Sequence, residues 1–409
     1  IPKIHKNPTN PPGRPIISAI GSLLESTSSY IDYFLRPFVL SLQSYIRDST
    51  DFIKQIQGIH WENEFKLLTM DVSSLYTCID QQKGIQCCRY YLKTRSLKYL
   101  EHTEMLCTML EFCLKHNFFM FDDKFYCQTQ GTTMGSCFAP SFANLFMGWW
   151  EEQIVCNIPG YSEHVVLWVR FIDDLFVIWK GSKESIMLFV DDINKNDINL
   201  KVTRNISDVE IDFLDVHVRV EQGILVTSLH RKDTAGNTLL HARSAHPRPL
   251  LESIPYGEML RARRNSSTES AYRKETVIMT RRFQERGYSN RTIRNAITKA
   301  SGMKREDLLK IKSKEAGDHV PLRFITKYSK ESKQVTNILK KHWPILKTDP
   351  KVNSIIEVSP RVIFRRNKSL KDKLCSNDVK RNRSIPNLFQ TKGFYRCAKC
   401  KACKSSDNV

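Results

Sequence analysis

A chain of 409 residues with 41% hydrophobic content has the apolar mass to bury a large core, divided into two or three domains. No apolar run reaches the length of a membrane span and no signal peptide is visible at Ile1, so no membrane-spanning helix is expected of these residues. The formal net charge of +20 is uneven: residues 1–230 carry 21 Lys and Arg against 27 Asp and Glu, whereas 231–409 carry 42 against 16, which predicts a catalytic body joined to an extension that grips a polyanion, nucleic acid above all.

Residues 1–18 are punctuated by Pro2, Pro8, Pro11, Pro12 and Pro15, which predicts extended chain. An opening Ile1 inside a dense Pro/Lys run also predicts a piece of something longer. Ile31, Phe34, Leu35, Phe38, Leu42 and Ile46 recur at helical spacing and predict one helical stretch over 22–57. Leu67-Leu68-Thr69-Met70 is a short apolar strand that ends at Asp71. Residues 82–117 read as helices and 118–128 as a hairpin turning at Asp122-Asp123. The loop 128–136, with Gly131 and Gly135, feeds an apolar helix from about Pro140, proline being tolerated in a first helical turn. Apolar, β-branched and aromatic runs at 165–172 and 175–179 flank Asp173 and Asp174, so they read as two strands with the acids at the turn. A strand-rich region covers 198–230, and from about 250 the pattern is helical and basic. There, a helix over 269–285, the turn Arg286-Gly287-Tyr288-Ser289 and a second helix with Ile293, Ala296, Ile297 and Ala300 at helical spacing predict a helix-turn-helix unit. In it Arg291, Arg294 and Lys299 are free to reach phosphate.

Two carboxylates held on a rigid turn repel each other and invite a divalent cation, most simply Mg2+ with oxygen ligands. Solvated turn acids are the competing reading, because Asp suits turns for backbone reasons alone. Asp71, at the end of its own apolar strand, supplies the third acid that two-metal nucleotidyl transfer needs, with metals about 3.5–4 Å apart. Tyr76, five residues on, is spaced to lie against a nucleotide sugar and exclude a ribose 2′-hydroxyl; a core tyrosine is the alternative. Gln130-Gly131 suits close backbone approach to a base or sugar, against an ordinary turn. Arg14, with Lys3 and Lys6, suits a triphosphate or template backbone, against solvated surface charge. Cys397, Cys400 and Cys403 have metal-ligand spacing but supply three of the four ligands that Zn2+ wants. The remaining nine cysteines show no disulfide spacing and predict reduced thiols in an intracellular protein.

Taken in order, Arg14-Pro15-Ile16, Asp71 to Tyr76, Gln130-Gly131 to Pro140 and Phe171-Ile172-Asp173-Asp174 resemble the successive motifs of reverse transcriptases. Pro2-Lys3-Ile4-His5-Lys6, Met70 to Thr77, Phe213-Leu214-Asp215 and Leu229-His230-Arg231-Lys232 resemble the Penelope-like retroelement branch, relatives of telomerase. The resemblance implies an α+β right-hand polymerase: fingers and an antiparallel palm sheet over 1–235, with a primer-gripping hairpin near Phe213-Leu214-Asp215, then a basic helical thumb over 236–345. A basic linker over 346–409 would end in the partial, zinc-knuckle-like cysteine motif. It implies an RNA-directed DNA polymerase that extends a DNA 3′ end on an RNA template with deoxynucleoside triphosphates, acting in the nucleus and away from membranes. Asp71, Asp173, Asp174 and the Val72 carbonyl would hold two Mg2+ ions, Tyr76 would be the sugar gate, Gln130 and Gly131 nucleotide contacts, and Arg14 a triphosphate contact. Phe171 departs from the Tyr that opens the acidic motif in many relatives, which puts hydroxyl contacts there in doubt. No GIY-YIG nuclease lies within these residues, so cleavage is not expected of them. A decayed remnant that only binds nucleic acid is the alternative, and an RNA-dependent RNA polymerase is a further one that Tyr76 disfavours.

Overall fold

The first apolar stretch, read from its spacing as one helix, is two: α1 (Glu25–Leu40) and α2 (Ser49–Ile56). The break has a local and a tertiary cause. Asp48 caps α2 by accepting hydrogen bonds from the Thr50 and Asp51 amides. Just before it, the Ile46 amide donates to the Arg170 carbonyl at 3.0 Å and the Arg170 amide to the Ser44 carbonyl at 2.7 Å, so these residues are drawn out alongside a strand and leave the helix. The computed structural model describes residues 9, 16–17, 19–95, 97–121, 124–232, 236–310, 322–329, 331–349, 353 and 360–367. Arg14, the Asp122-Asp123 turn and Cys397, Cys400 and Cys403 lie outside them.

In chain order there follow β1 (Phe65–Val72), the one-turn α3 (Leu75–Cys78), α4 (Gln81–Thr94), α5 (Thr103–Lys115) and the hairpin of β2 (Phe118–Phe121) and β3 (Lys124–Cys127). Next come α6 (Ala139–Gln153), the one-turn α7 (Tyr161–His164), β4 (Val165–Phe171), β5 (Asp174–Lys180), α8 (Lys183–Ile193) and β6 (Val202–Ser207). A meander of β7 (Glu210–Phe213), β8 (Val216–Glu221) and β9 (Ile224–Leu229) ends this run. The main sheet has the order β4-β5-β1-β6 with every pairing antiparallel.

Successive side chains of a strand point to opposite faces, and here both faces are apolar. Leu68, Met70 and Val72 of β1 with Leu175, Val177 and Trp179 of β5 pack on helices α1, α4, α5, α6 and α8, around Tyr91, Phe142, Phe146 and Trp150. Leu67, Phe176 and Ile178 face the other way, onto Phe52 and Ile53 of α2 and Ile211, Phe213, Val216 and Val218 of the meander. The central strands are therefore sandwiched, which is why they read as continuous apolar runs rather than alternating ones. Gly84 lets α4 approach α6: a Cβ there would stand 2.2 Å from the Phe142 ring.

Helices α9 (Arg248–Asn265), α10 (Glu269–Glu285), α11 (Asn290–Ser301) and α12 (Arg305–Leu309) complete the helical run. Thr268 and Ser289 cap α10 and α11, and Gly287 (φ +76°) makes the turn between them. Met279, Phe283, Tyr288, Ile293, Ala296 and Ala300 form their shared core with Met259. The chain divides into two compact units, 1–242 with 252–314, and 243–251 with 315–409. Helices after 252 thus belong with the sheet: Arg261 Nε donates to Asp215 Oδ2 at 2.6 Å, and Arg305 to Thr227 Oγ1 at 3.2 Å.

In the second unit, β10 (Arg323–Lys327) and β11 (Arg361–Arg365) pair in parallel, with α13 (Ser332–Leu346) between them in sequence. This corrects the expectation that everything after 250 is helical. Parallel partners are joined by a long crossover, so five-residue basic strands leave little local signal. Every described cysteine is a free thiol, and no helix among the described residues is long and apolar enough to cross a membrane.

Candidate active site

Asp71 is exposed near the end of β1, where the antiparallel register with β5 sets it opposite Asp174. The β4–β5 hairpin closes on the pair Phe171 and Asp174, leaving Ile172 and Asp173 as a two-residue loop. Ile172 has φ +58°. Tight hairpins want a positive φ at that position and usually fill it with Gly, so a β-branched residue there is strained. The Val72 amide donates to the Asp173 carbonyl at 3.0 Å, which ties the loop to β1 one residue beyond Asp71. Register and hairpin closure together bring Asp71, Asp173 and Asp174 to one end of two adjacent strands.

Their charges act on one another. Burial, then the carboxylates of Asp173 and Asp71, push the Asp174 carboxyl up to about 6, and Lys232 pulls it back. Burial and the Asp173 charge push the Tyr76 phenol up to about 12, which sets the half-buried tyrosine beside the acids. Tyr76 lies on α3, entered through Ser74 at φ +58°. Gly131 (φ +70°) packs on the same turn: its amide donates to the Ile79 carbonyl at 3.0 Å and the Thr132 amide to the Tyr76 carbonyl at 2.7 Å. A Cβ at Gly131 would stand 2.3 Å from that carbonyl oxygen, so only glycine fits. Gln130 is exposed on this loop, and its carbonyl accepts from Gln128 Nε2 at 2.8 Å.

A cleft of about 270 Å3 opens beside the acids, lined by Asp71, Asp174, Thr203, Arg204, Asp212, Phe213, Leu214, His230 and Lys232. Arg204 has no assigned part in the sequence reading, and His230 and Lys232 enter it only within a motif. The signal for Lys232 was its place two strands after Phe213-Leu214; which strand ends meet it is a tertiary matter. Phe213 and Leu214 themselves fall in the cleft as the turn between β7 and β8.

The acids suit a hard divalent cation in their chemistry: three carboxylates at one sheet end, repelling one another, with oxygen donors only. They are not a preformed cage, since among the described residues no three His, Cys, Asp or Glu side chains are placed to hold a metal ion.

A second candidate surface lies on α11. Ile293, Ala296 and Ala300 face the core, and Arg291, Arg294, Asn295, Thr298 and Lys299 are exposed along the opposite face. On α10, Arg273 and Arg281 pair with Glu269 and Glu285 of the same helix at 3.5 and 3.4 Å. Among the described residues no ion pair engages Arg291, Arg294 or Lys299, which leaves their charge to an outside anion.

Residues 238–298 match the model of the animal helix-turn-helix domain. No curated protein matches the chain. Among solved structures, telomerase from Candida albicans in complex with a TWJ fragment of telomeric RNA is similar with a TM-score of 0.47 at 12% identity, covering 66% of this chain and 48% of that one. Apo telomerase from Candida tropicalis truncated from the C-terminal domain gives 0.38 at 12%, covering 49% and 45%. The RNA-dependent RNA polymerase of a human picorbirnavirus gives 0.42 at 12%, covering 68% and 54%. The chain spans about half the length of each of these proteins.

Proposed function

We propose that this chain is an RNA-directed DNA polymerase of the Penelope-like retroelement type, a right hand with β4-β5-β1-β6 as palm, the helices around α4–α6 as fingers and α9–α12 as thumb. The observation that carries the reading is the register that sets Asp71 opposite Asp174, with Asp173 on the strained loop between and Tyr76 alongside. Asp71, Asp173, Asp174 and the Val72 carbonyl would hold two Mg2+ ions, whose chemistry is to acidify the primer 3′-hydroxyl and offset charge on the departing pyrophosphate. The Tyr76 ring bars a 2′-hydroxyl, and Gly131 lets the loop carrying Gln130 come close to the incoming deoxynucleotide. Arg14 serves the triphosphate. Lys232 and His230, which line the same cleft as Asp174, suit the phosphates of the primer end. RNA template and DNA primer are the partners, in the nucleus, with α11 against duplex phosphates. Cys397, Cys400 and Cys403 would give a Zn2+ ion three thiolates, the fourth ligand coming from elsewhere.

Primer extension on an RNA template annealed to a DNA primer tests this. Wild type should incorporate deoxynucleotides in preference to ribonucleotides, and Asp173→Asn should lower product by about 100-fold or more, as loss of a charge-neutralising ligand does. Equal synthesis by the two proteins would remove the metal assignment. The match of 238–298 favours a second reading, a chain that only binds nucleic acid. That reading expects salt-sensitive duplex binding with no product from either protein.

A further inference from the structure

We infer that Arg170 is a positioning residue: with Glu151 and Asn144 of α6 it forms a buried strut that fixes the Ile172-Asp173 loop, and through it the cation-holding arrangement of Asp173 and Asp174. The inference rests on the polymerase reading only for its effect on synthesis.

Arg170 is fully buried on β4, among apolar residues, three positions before Asp173. Its Nε donates to Glu151 Oε1 at 2.8 Å and one terminal nitrogen to Glu151 Oε2 at 3.2 Å. The other terminal nitrogen donates to Asn144 Oδ1 at 2.8 Å and to the Ile172 carbonyl at 3.3 Å. Glu151 is held in turn, accepting from Trp168 Nε1 at 2.8 Å and from Ser44 Oγ at 2.5 Å. Such a pair is a poor device for stability, because well-packed apolar side chains of similar volume serve a core as well or better. What an apolar pair cannot supply is the donor to the Ile172 carbonyl. Ile172 sits at φ +58°, a backbone that a β-branched residue resists, so the loop needs something to hold it. The other end of the strut starts where the nucleotide loop stops, since Asn144 also donates to the carbonyl of Pro140 in the first turn of α6. The strut therefore spans from the helix that follows the Gly131 loop to the turn that carries the acids.

Replacing both ends, as Arg170→Met with Glu151→Leu, keeps the volume and removes the donor. Three measurements on the full chain separate positioning from folding: thermal midpoint, Tb3+ luminescence as a probe of hard-cation binding with Asp173→Asn as the blank, and kcat and KM for the deoxynucleotide in primer extension. The double variant should stay folded but melt below wild type, because Trp168 Nε1, Ser44 Oγ and Asn144 Oδ1 lose partners, bind Tb3+ about 10- to 100-fold more weakly, as loss of partners that orient a ligand does, and lose kcat more than it raises KM. Adding Ile172→Gly should recover part of the Tb3+ affinity, because glycine holds a positive φ without a tether. Unchanged Tb3+ affinity in a folded double variant overturns the inference, as does a further loss on adding Ile172→Gly. Where the double variant does not fold, Asn144→Ala, which strips one partner from the strut, is read the same way. Wild type that binds Tb3+ through Asp173 but makes no DNA overturns the polymerase reading alone, and the Tb3+ comparison still decides the strut.

Discussion

Asp174 faces two other carboxylates from a half-buried position, and its proton is held up to about 6 against an ordinary 3.8. The folded chain therefore binds this proton more tightly than the unfolded chain does. The sign follows: the group favours folding at low pH, and that contribution is lost as pH rises from about 4 through about 6. Discounted for partial exposure, the loss amounts to about 1–2 kcal/mol. Without metal, Asp174→Asn should accordingly stabilise the protein by about that much at pH 8 and leave it unchanged at pH 4, measured by urea unfolding at both pH values. Mg2+ should raise the wild-type midpoint at pH 8 and have much less effect on the variant; a variant no more stable than wild type at pH 8 would show that the acids do not repel as described. Asp71, Asp173 and Asp174 were legible as residues because acids that close apolar strands stand out in a sequence. Lys232 and Arg170 were not, because what each does depends on which strands and helices lie beside it.

At the scale of elements, the β7–β8 turn is a joint. Phe213 packs with its ring centroid 4.7 Å from Phe52 and 5.5 Å from Phe176, so the turn is seated on α2 and β5 together. The next residues, Leu214 at φ +54° and Asp215, lock it to α2 and α9: Asp215 accepts from Ser49 of α2 and from Arg261 of α9, and its carbonyl accepts from Asn265 Nδ2 of α9 at 3.0 Å. Burial pushes the Asp215 carboxyl up, but the hydrogen bonds from Ser49 and Arg261 outweigh it and hold the group below the usual range. Its contribution is thus present at neutral pH and lost as acid titrates it. Asp215→Ala should cost about 2 kcal/mol, less than a fully buried pair because Arg261 is partly exposed, with the loss shrinking as pH falls through and below the ordinary carboxylate range; denaturation curves that overlay wild type at pH 7 would refute the joint. The hairpin, the apolar strands and the paired helices α10 and α11 were each readable from period, turn residues and caps. The break between α1 and α2 was only half readable, since Asp48 signals a cap while the pull of residues 44–46 onto β4 has no local sign. The parallel pair of β10 and β11 left no sign at all beyond two short basic runs.

For the whole molecule, charge is the property that sequence reports best and structure refines. The excess of Lys and Arg after 230 is a sum, but on the helix-turn-helix unit it includes two kinds of cation, Arg273 and Arg281 of α10 paired with glutamates one turn away and Arg291, Arg294 and Lys299 of α11 exposed without such a glutamate. Arg291→Glu with Arg294→Glu should therefore reduce the slope of log affinity against log salt for an RNA–DNA duplex by about 2, since each phosphate contact contributes about 0.9. The same reversal at Arg273 and Arg281 should change the slope less, and equal effects in a salt titration would mean that α11 is not the contacting helix. By itself the sequence determined the local terms: which runs are strands or helices, where acids and glycines punctuate them, and where positive charge accumulates, because period, turn chemistry and composition are all carried by neighbouring residues. Only the tertiary structure decided that Asp71 stands opposite Asp174, that Gly131 lies against the Tyr76 carbonyl, that Lys232 faces the acids and that Arg170 props their turn. Register and burial are relations between distant segments, fixed by which apolar faces must close on each other, and no single stretch of chain contains them.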